Sequence, residues 1–175
     1  MSSEIRVRVC SSGDEEALAL IGQATFLETF AGVLAGSNIL AHCARAHSVE
    51  CYRSWLADSR YKLWLAEISP GNAPIGYMVV SPAELPLADI SLRDLELKRI
   101  YVFSRFQGSG LGRRLLQEAI AEARVRKAER LLLGVYVRND AAIGFYTRMG
   151  FRKLGYRKFN MGGQKCDDYV MGLTL

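Results

Sequence analysis

The sequence predicts a mixed α/β fold in one domain over residues 1–175, with about six to seven mostly antiparallel strands and about four helices. Three observations predict it. Segments of strand character stand at both ends of the chain. Between them, Leu95 to Ala123 (LELKRIYVFSRFQGSGLGRRLLQEAIAEA) runs from an apolar-rich strand through a glycine-rich turn into an amphipathic helix. A further strand follows, which is the order of a parallel crossover. No repeat, low-complexity tract or linker divides the chain, and 175 residues suffice for a core without disulfides or metals.

Taken in order, Ile5, Val7 and Val9 alternate with Arg6 and Arg8, a half-buried strand. Ser11, Ser12 and Asp14 offer an N-cap for a helix carrying Ala17, Leu18, Leu20, Ile21, Ala24 and Phe26. The pattern weakens around Gly32 and Gly36, where a loop is expected. A second helix runs from about Val49, behind Ser48, to about Leu56. Tyr61–Ile68 and Pro74–Val80 flank the turn-rich SPGNA and read as an antiparallel hairpin. Pro82 to Asp94, with two prolines and no period, reads as a loop before the strand Leu95–Phe103.

The helix from Gly110 to about Lys127 sets Leu111, Leu115, Leu116, Ala119, Ile120 and Ala123 on one stripe. Leu131–Val137 is the parallel partner strand. Asn139 or Asp140 caps a helix to Met149, and Gly150 is its expected left-handed stop. Two last strands, about Phe151–Asn160 and Asp168–Leu175, join through Gly162-Gly163.

A net charge of +5 favours an anionic ligand, but the basic residues are dispersed and form no strip interleaved with aromatics, which argues against nucleic acid. The four cysteines form no CxxC pair, the first residues MSSEIRVRV lack the form of an export signal, and no apolar run approaches ~18 residues. A cytoplasmic protein with reduced thiols and no membrane segment is expected. His42, Cys43, His47 and Cys51 match no tetrahedral zinc spacing, so no metal is expected.

Gln107-Gly108-Ser109-Gly110-Leu111-Gly112 stands where strand gives way to helix. Backbone N–H groups at a helix start lack intrahelical partners, and glycines let an anion approach them. A nucleoside-triphosphate loop would end in GK followed by Ser or Thr; here Gly112 is followed by Arg113 and Arg114. A dinucleotide fingerprint would need a third glycine where Arg113 stands, after a strand buried on both faces rather than one holding Glu96, Lys98 and Arg99.

The pattern that fits is Q/R-x-x-G-x-G/A, together with Asn139, Ala142, Phe145, Tyr146, Gly150 and Phe151 in the segment downstream. On these motifs and on the order of its elements the chain resembles the GNAT superfamily of acyl-CoA-dependent N-acetyltransferases. Within it, TFLETF (Thr25–Phe30), LELKRIYV (Leu95–Val102) and the tail FNMGGQKCDDYVMGLTL look most like bacterial spermidine/spermine acetyltransferases of the Pai type. The chain departs from those between Asn38 and Arg60, where His42, Arg45, His47, Arg53 and Arg60 outnumber Glu50 and Asp58.

The resemblance implies acetyl-CoA as co-substrate, with its pyrophosphate on Gln107, Gly108, Ser109, Gly110, Leu111 and Gly112 and charge added by Arg113. Its pantetheine arm would lie along Ile100, Tyr101 and Val102. Tyr146 is then the candidate general acid for the leaving thiolate, unless it is simply a packed aromatic. Glu96, eleven residues before Gln107, is the candidate base, with a water chain as the other route; strand alternation places it with Lys98, Ile100 and Val102, and the alternative role is a solvated carboxylate paired with Lys98. Glu28 is a second carboxylate for the acceptor, or an exposed helix residue. Asn139 touches the coenzyme arm or orients Tyr146, and is equally a helix N-cap. The acceptor is a small amine, a polyamine among the options, with a protein N-terminus or lysine, or a non-catalytic acyl-CoA-binding role, as alternatives. A homodimer through edge strands is a further expectation.

Overall fold

The computed structural model describes residues 4–175; Met1–Ser3, and with them part of the reading of the N-terminus, lie outside the described residues. The elements are β1 (Ile5–Val9), α1 (Glu15–Phe30), α2 (Gly36–Ala46), α3 (Val49–Ala57), β2 (Lys62–Ile68), β3 (Ala73–Pro82), β4 (Asp94–Val102), α4 (Leu111–Val125), β5 (Arg130–Tyr136), α5 (Asp140–Arg148), β6 (Arg152–Met161) and β7 (Gln164–Thr174). The strands make one seven-stranded sheet in the order β1-β2-β3-β4-β5-β7-β6. Only β4 and β5 run parallel. The expected class, a mostly antiparallel mixed α/β sheet flanked by helices, is the one observed. Among the described residues no helix is long and apolar enough to cross a membrane.

Two apolar layers sandwich the sheet. On one face, Leu111, Leu115, Leu116, Ala119 and Ala123 of α4 bury against Met78, Val80, Leu97, Leu131 and Leu133. On the other, Leu18 and Ile21 of α1 and Tyr52 of α3 cover Leu63, Leu65, Tyr77 and Val79. At about 25 cal/mol per Å² of apolar area, such a stripe contributes more than the intrinsic propensity of any one helix.

The parallel contact is short. β4 and β5 pair only at Asp94–Arg130, Leu95–Leu131 and Glu96–Leu132. Beyond that β5 stays with β7 as far as Tyr136, while β4 stays with β3 as far as Val102. The two strands therefore diverge as a V. A bulge sits just past its closed end: Val79 faces Arg99 while Val80 faces Leu97, so Lys98 is an extra residue in β4.

That bulge corrects the strand reading. Leu95 and Leu97 share their apolar layer with Ile100 and Val102, whereas Tyr101 joins the opposite layer. Glu96 therefore shares a face with Arg99 and Tyr101, not with Ile100 and Val102. Lys98 is not its partner either; the lysine pairs with Glu84 at 3.0 Å.

A second correction concerns α2, an 11-residue helix in a stretch that the sequence left without regular structure. It opens at Gly36, its N-cap Ala35 offers no side-chain acceptor, and its inner stripe is completed by His42, which is buried. Its first turn docks on the β6–β7 hairpin, where Gly162 and Gly163 have φ of 64° and 102°. A Cβ on Gly162 would collide with the Asn38 backbone carbonyl, so the hairpin tip needs glycine twice over. Asp14, in turn, is the N-cap of α1 by position but spends its carboxylate on Arg8 and on the Ser11 N–H.

The closed end of the V is locked by Asp94, whose side chain is fully buried and which accepts hydrogen bonds from Arg130 at 2.6 and 3.0 Å. Burial alone would raise the Asp94 pKa, but the Arg130 and Ser91 hydrogen bonds outweigh it and hold it below the usual carboxylate value. Asp94→Asn should therefore cost about 2 kcal/mol of unfolding free energy near neutral pH, less than a fully buried pair because Arg130 keeps some exposure. The contribution is complete above the unfolded carboxylate pKa of ~3.9 and is lost as pH falls through the lower folded value. The gap between urea melts of wild type and variant should accordingly narrow progressively as pH falls below ~3.9.

Candidate active site

The divergence of β4 from β5 opens a cavity of about 540 Å³ that reaches from one face of the sheet to the other. On the α4 side it is bounded by the glycine turn, Arg113, Phe145 and Tyr146. On the far side it ends among Phe26, His42, His47, Arg99, Arg157 and Asp168.

The glycine turn is open by construction. Gly108 and Gly110 adopt φ of 77° and 83°, and no atom lies within 4 Å of where a Cβ would stand on either. Glycine is required there by backbone conformation, with clear space in front of the turn. Gly110 is the N-cap of α4 and contributes no side-chain acceptor, so the N–H groups of the first turn face that space with the helix dipole behind them. Gln107 and Ser109 brace the turn by donating to the Val102 and Phe106 carbonyls at 3.1 and 2.6 Å. Gln107, Gly108, Gly110, Gly112 and Arg113 line the cavity. Ser109 does not, and Leu111 is buried in the core with only its backbone at the turn. Arg114 points away, to the Ile5 carbonyl.

The edge of β4 at Ile100, Tyr101 and Val102 also lines the cavity. With β5 gone from its side, that edge offers main-chain groups to a ligand as an added strand would. Tyr146 sits across the gap, its ring 5.3 Å from Phe145 and 5.7 Å from Phe151. Burial, with Tyr101 nearby, raises its phenol well above the ordinary value, so it stays protonated at neutral pH. Asn139 lines the cavity, and its Oδ1 caps α5, as the sequence allowed, by accepting from the Ala142 N–H at 3.1 Å.

Both candidate carboxylates also lie off the cavity. Glu28 accepts from the Ser104 N–H and hydroxyl at 3.0 and 2.6 Å, tying α1 to the 3₁₀ turn Ser104–Phe106 beyond β4. Glu96 is 3% exposed, accepts from the Glu84 N–H at 3.1 Å and lies 4.0 Å from Arg157. Neither is among the lining residues.

What the sequence reading passed over is the far chamber. Arg157 on β6 faces Asp168 on β7 in register and binds it at 3.0 Å. The guanidinium lies over Gly134, where any Cβ would strike it. Burial raises the Asp168 pKa despite Arg157. The signal for Asp168 was available, since alternation along β7 turns one of the two adjacent carboxylates inward. Phe26, Phe30, Ile39 and Met161 form the apolar wall, with Tyr136 and Phe159 packed on it. His42 stacks on Phe26 at 4.3 Å, and His47 Nδ1 is 2.9 Å from the Tyr52 hydroxyl. Among the described residues no three His, Cys, Asp or Glu side chains are placed to share a metal ion.

The sequence profile of the acetyltransferase (GNAT) family matches residues 34–151, which contain the glycine turn, the diverging strands and Tyr146. The chain belongs to this family. An uncharacterised N-acetyltransferase of Mycobacterium tuberculosis is 37% identical over 79 residues, 45% of this chain and 51% of that one. N-acetyltransferase 8 of Rattus norvegicus is 27% identical over 133 residues, covering 74% and 58%. The matched region thus spans about half the length of the curated relatives. The PaiA N-acetyltransferase of Thermoplasma acidophilum, solved with coenzyme A, superposes with a TM-score of 0.76 over 98% of this chain and 99% of that one. At 20% identity the likeness is one of fold. A ribosomal-protein-alanine N-acetyltransferase of Brucella melitensis gives a TM-score of 0.72 at 26% identity, over 97% and 99%.

The chamber histidines carry a pH signature. Burial first, then Arg99, pushes His42 down to about 4 and His47 to about 2. Both are neutral in the folded protein at pH 7. Below the unfolded value of ~6.5 the unfolded chain gains protons that the folded one refuses, so stability should fall with pH, by at most about 1.4 kcal/mol per unit for each histidine. Urea unfolding at pH 7, 6 and 5 should show that slope, and His47→Gln should make it shallower.

Proposed function

We propose that this GNAT protein is an acetyl-CoA-dependent N-acetyltransferase that passes the acetyl group directly to a primary amine. The observation that supports this most is the through-sheet cavity, which connects an open anion cradle on one face to a chamber of charged and aromatic side chains on the other. The N–H groups at Gly108–Gly112, with Arg113, are suited to hold the pyrophosphate of the coenzyme, and the free edge at Ile100–Val102 to hold its arm. Acetyl-CoA held there supplies an acetyl thioester at the mouth of the V.

Tyr146, protonated at neutral pH, donates a proton to the departing sulfur as it develops charge, and β4 N–H groups polarise the carbonyl oxygen. The amine needs to lose a proton before attack. Glu96 is buried beside Glu84 and Arg157, outside the cavity, so it serves to hold Arg157. Asp168 does line the cavity and is made more basic by burial; with water between, it is the acceptor the geometry favours. Most of the rate then comes from holding amine and thioester together. A polyamine acceptor, the substrate class of the Pai-type resemblance, would find Asp168 as the only acidic lining residue among the described residues, already engaged by Arg157.

Free-thiol release from acetyl-CoA across a panel of amines is the test. Stimulation by an amine is expected; coenzyme binding without stimulation by any amine would leave an acyl-CoA-binding module instead. Tyr146→Phe should lower kcat about 10²–10³-fold with little change in the KM for acetyl-CoA. Gly110→Ala should weaken coenzyme A binding about tenfold beyond Gly13→Ala, a remote left-handed glycine with equally open space, as titration calorimetry would measure.

A further inference from the structure

Two guanidiniums line the far chamber, and the protein treats them differently. Arg157 is neutralised by Asp168 and approached by Glu96. Arg99 has no carboxylate partner among the described residues. Its Nη1 donates to the Tyr52 hydroxyl at 2.8 Å and approaches His47 Nδ1 at 3.3 Å. Its plane lies over the Trp55 ring at 4.6 Å and the Tyr52 ring at 5.4 Å. Those contacts are neutral and use one nitrogen. Nε and Nη2 have no hydrogen-bond partner among the described residues, and Arg99 lines the cavity.

A half-buried guanidinium with two unspent donors, set over aromatic faces and lining a cavity, is suited to an anion that completes it. A guanidinium fork fixed in its plane matches a planar carboxylate through two parallel hydrogen bonds. The glycine turn is not the source of that anion, because it opens on the α4 face whereas Arg99 projects to the face of α1 and α3. The remaining chamber wall is apolar, built from Phe26, Phe30, Phe159 and Met161.

We propose that Arg99 docks a carboxylate carried by the acceptor itself, so that the substrate is a small amino-carboxylate with an apolar side chain and not a polyamine. This rests on the acyltransfer reading and narrows it. The carboxylate sits on the Arg99 fork, the side chain lies against Phe26 and Phe159, and the amine is left facing the gap where β4 and β5 part. His47 and Tyr52, which hold one Arg99 nitrogen, set the height of the fork. Gly22 lets them approach, since a Cβ there would collide with the Tyr52 hydroxyl and His47.

The test uses the whole chain saturated with coenzyme A. Titration calorimetry would measure binding of phenylalanine, leucine and methionine, each as the free acid and as its amide, beside spermidine. The acid should bind about 10–100-fold tighter than its amide for at least one pair, the span expected of a charge-assisted hydrogen-bonded contact. Arg99→Gln should erase that difference and Arg99→Lys should keep part of it, with circular dichroism melts confirming that both variants are folded. Should neither fold, the acid-to-amide ratio of the wild-type protein decides alone. Equal binding of acid and amide in all three pairs, or tighter binding of spermidine, overturns the proposal. Thiol release is scored separately. Release by spermidine without acid preference sinks the carboxylate site and leaves acyltransfer standing; Arg99-dependent acid binding without release by any amine does the reverse.

Discussion

The parallel contact between β4 and β5 stops after three residue pairs, and the rest of the cavity follows from that stop. Had the strands stayed together, their main-chain groups would have satisfied one another and the sheet would be a closed wall. Instead β7 takes one side of β5, β3 takes one side of β4, and the facing edges part. The bulge at Lys98 bends β4 away at that point, and the buried Asp94–Arg130 pair keeps the closed end from opening further. An irregularity and an ion pair, one at each end of a short ladder, set the geometry of the gap.

The far chamber is assembled from more distant parts of the chain. Its floor is the β5–β7–β6 sheet, thinned at Gly134 so that Arg157 lies flat beside Asp168. Its wall is α1 and α2, which contact the β6–β7 hairpin through Phe26, Ile39 and Met161. Close approach is permitted by missing side chains at Gly22, Gly134 and Gly162, each beside a polar group it would otherwise displace. The charges follow the same plan: carboxylates are spent on Arg157, and Arg99 is left with aromatic rings.

The donor side of this arrangement was legible in the sequence because it is made of backbone. Two left-handed glycines before an amphipathic helix, a strand and a capped helix ending in Phe145-Tyr146 leave a pattern in local order, and residues 95–151 folded as the pattern implied. Glu96 was misread because strand alternation assumes an unbroken ladder, and a single bulged residue exchanges every face beyond it. The helix α2 was missed because it starts on glycine without a capping side chain and buries a histidine where a reader looks for leucine. Asp168, Arg157 and Arg99 were out of reach together, since their meeting depends on register between β6 and β7 and on the height of α3 over the sheet.

The same division explains how a chain can share a fold with a PaiA N-acetyltransferase at only 20% identity. A ligand held by main-chain N–H and C=O groups asks only that strands diverge and a helix begin in the right place, which many sequences satisfy. The far chamber is lined by side chains from α1, α2, β4, β6 and β7, with His47 from the α2–α3 turn, and each can be exchanged without disturbing the ladder. One uncompensated arginine there outweighs the overall charge of the molecule. The net +5 acts over a surface where salt screens it within roughly 10 Å, whereas Arg99 acts at contact distance where little water intervenes. On the reading proposed above, acceptor preference is a question about the few side chains around Arg99, and descent from a common fold does not answer it.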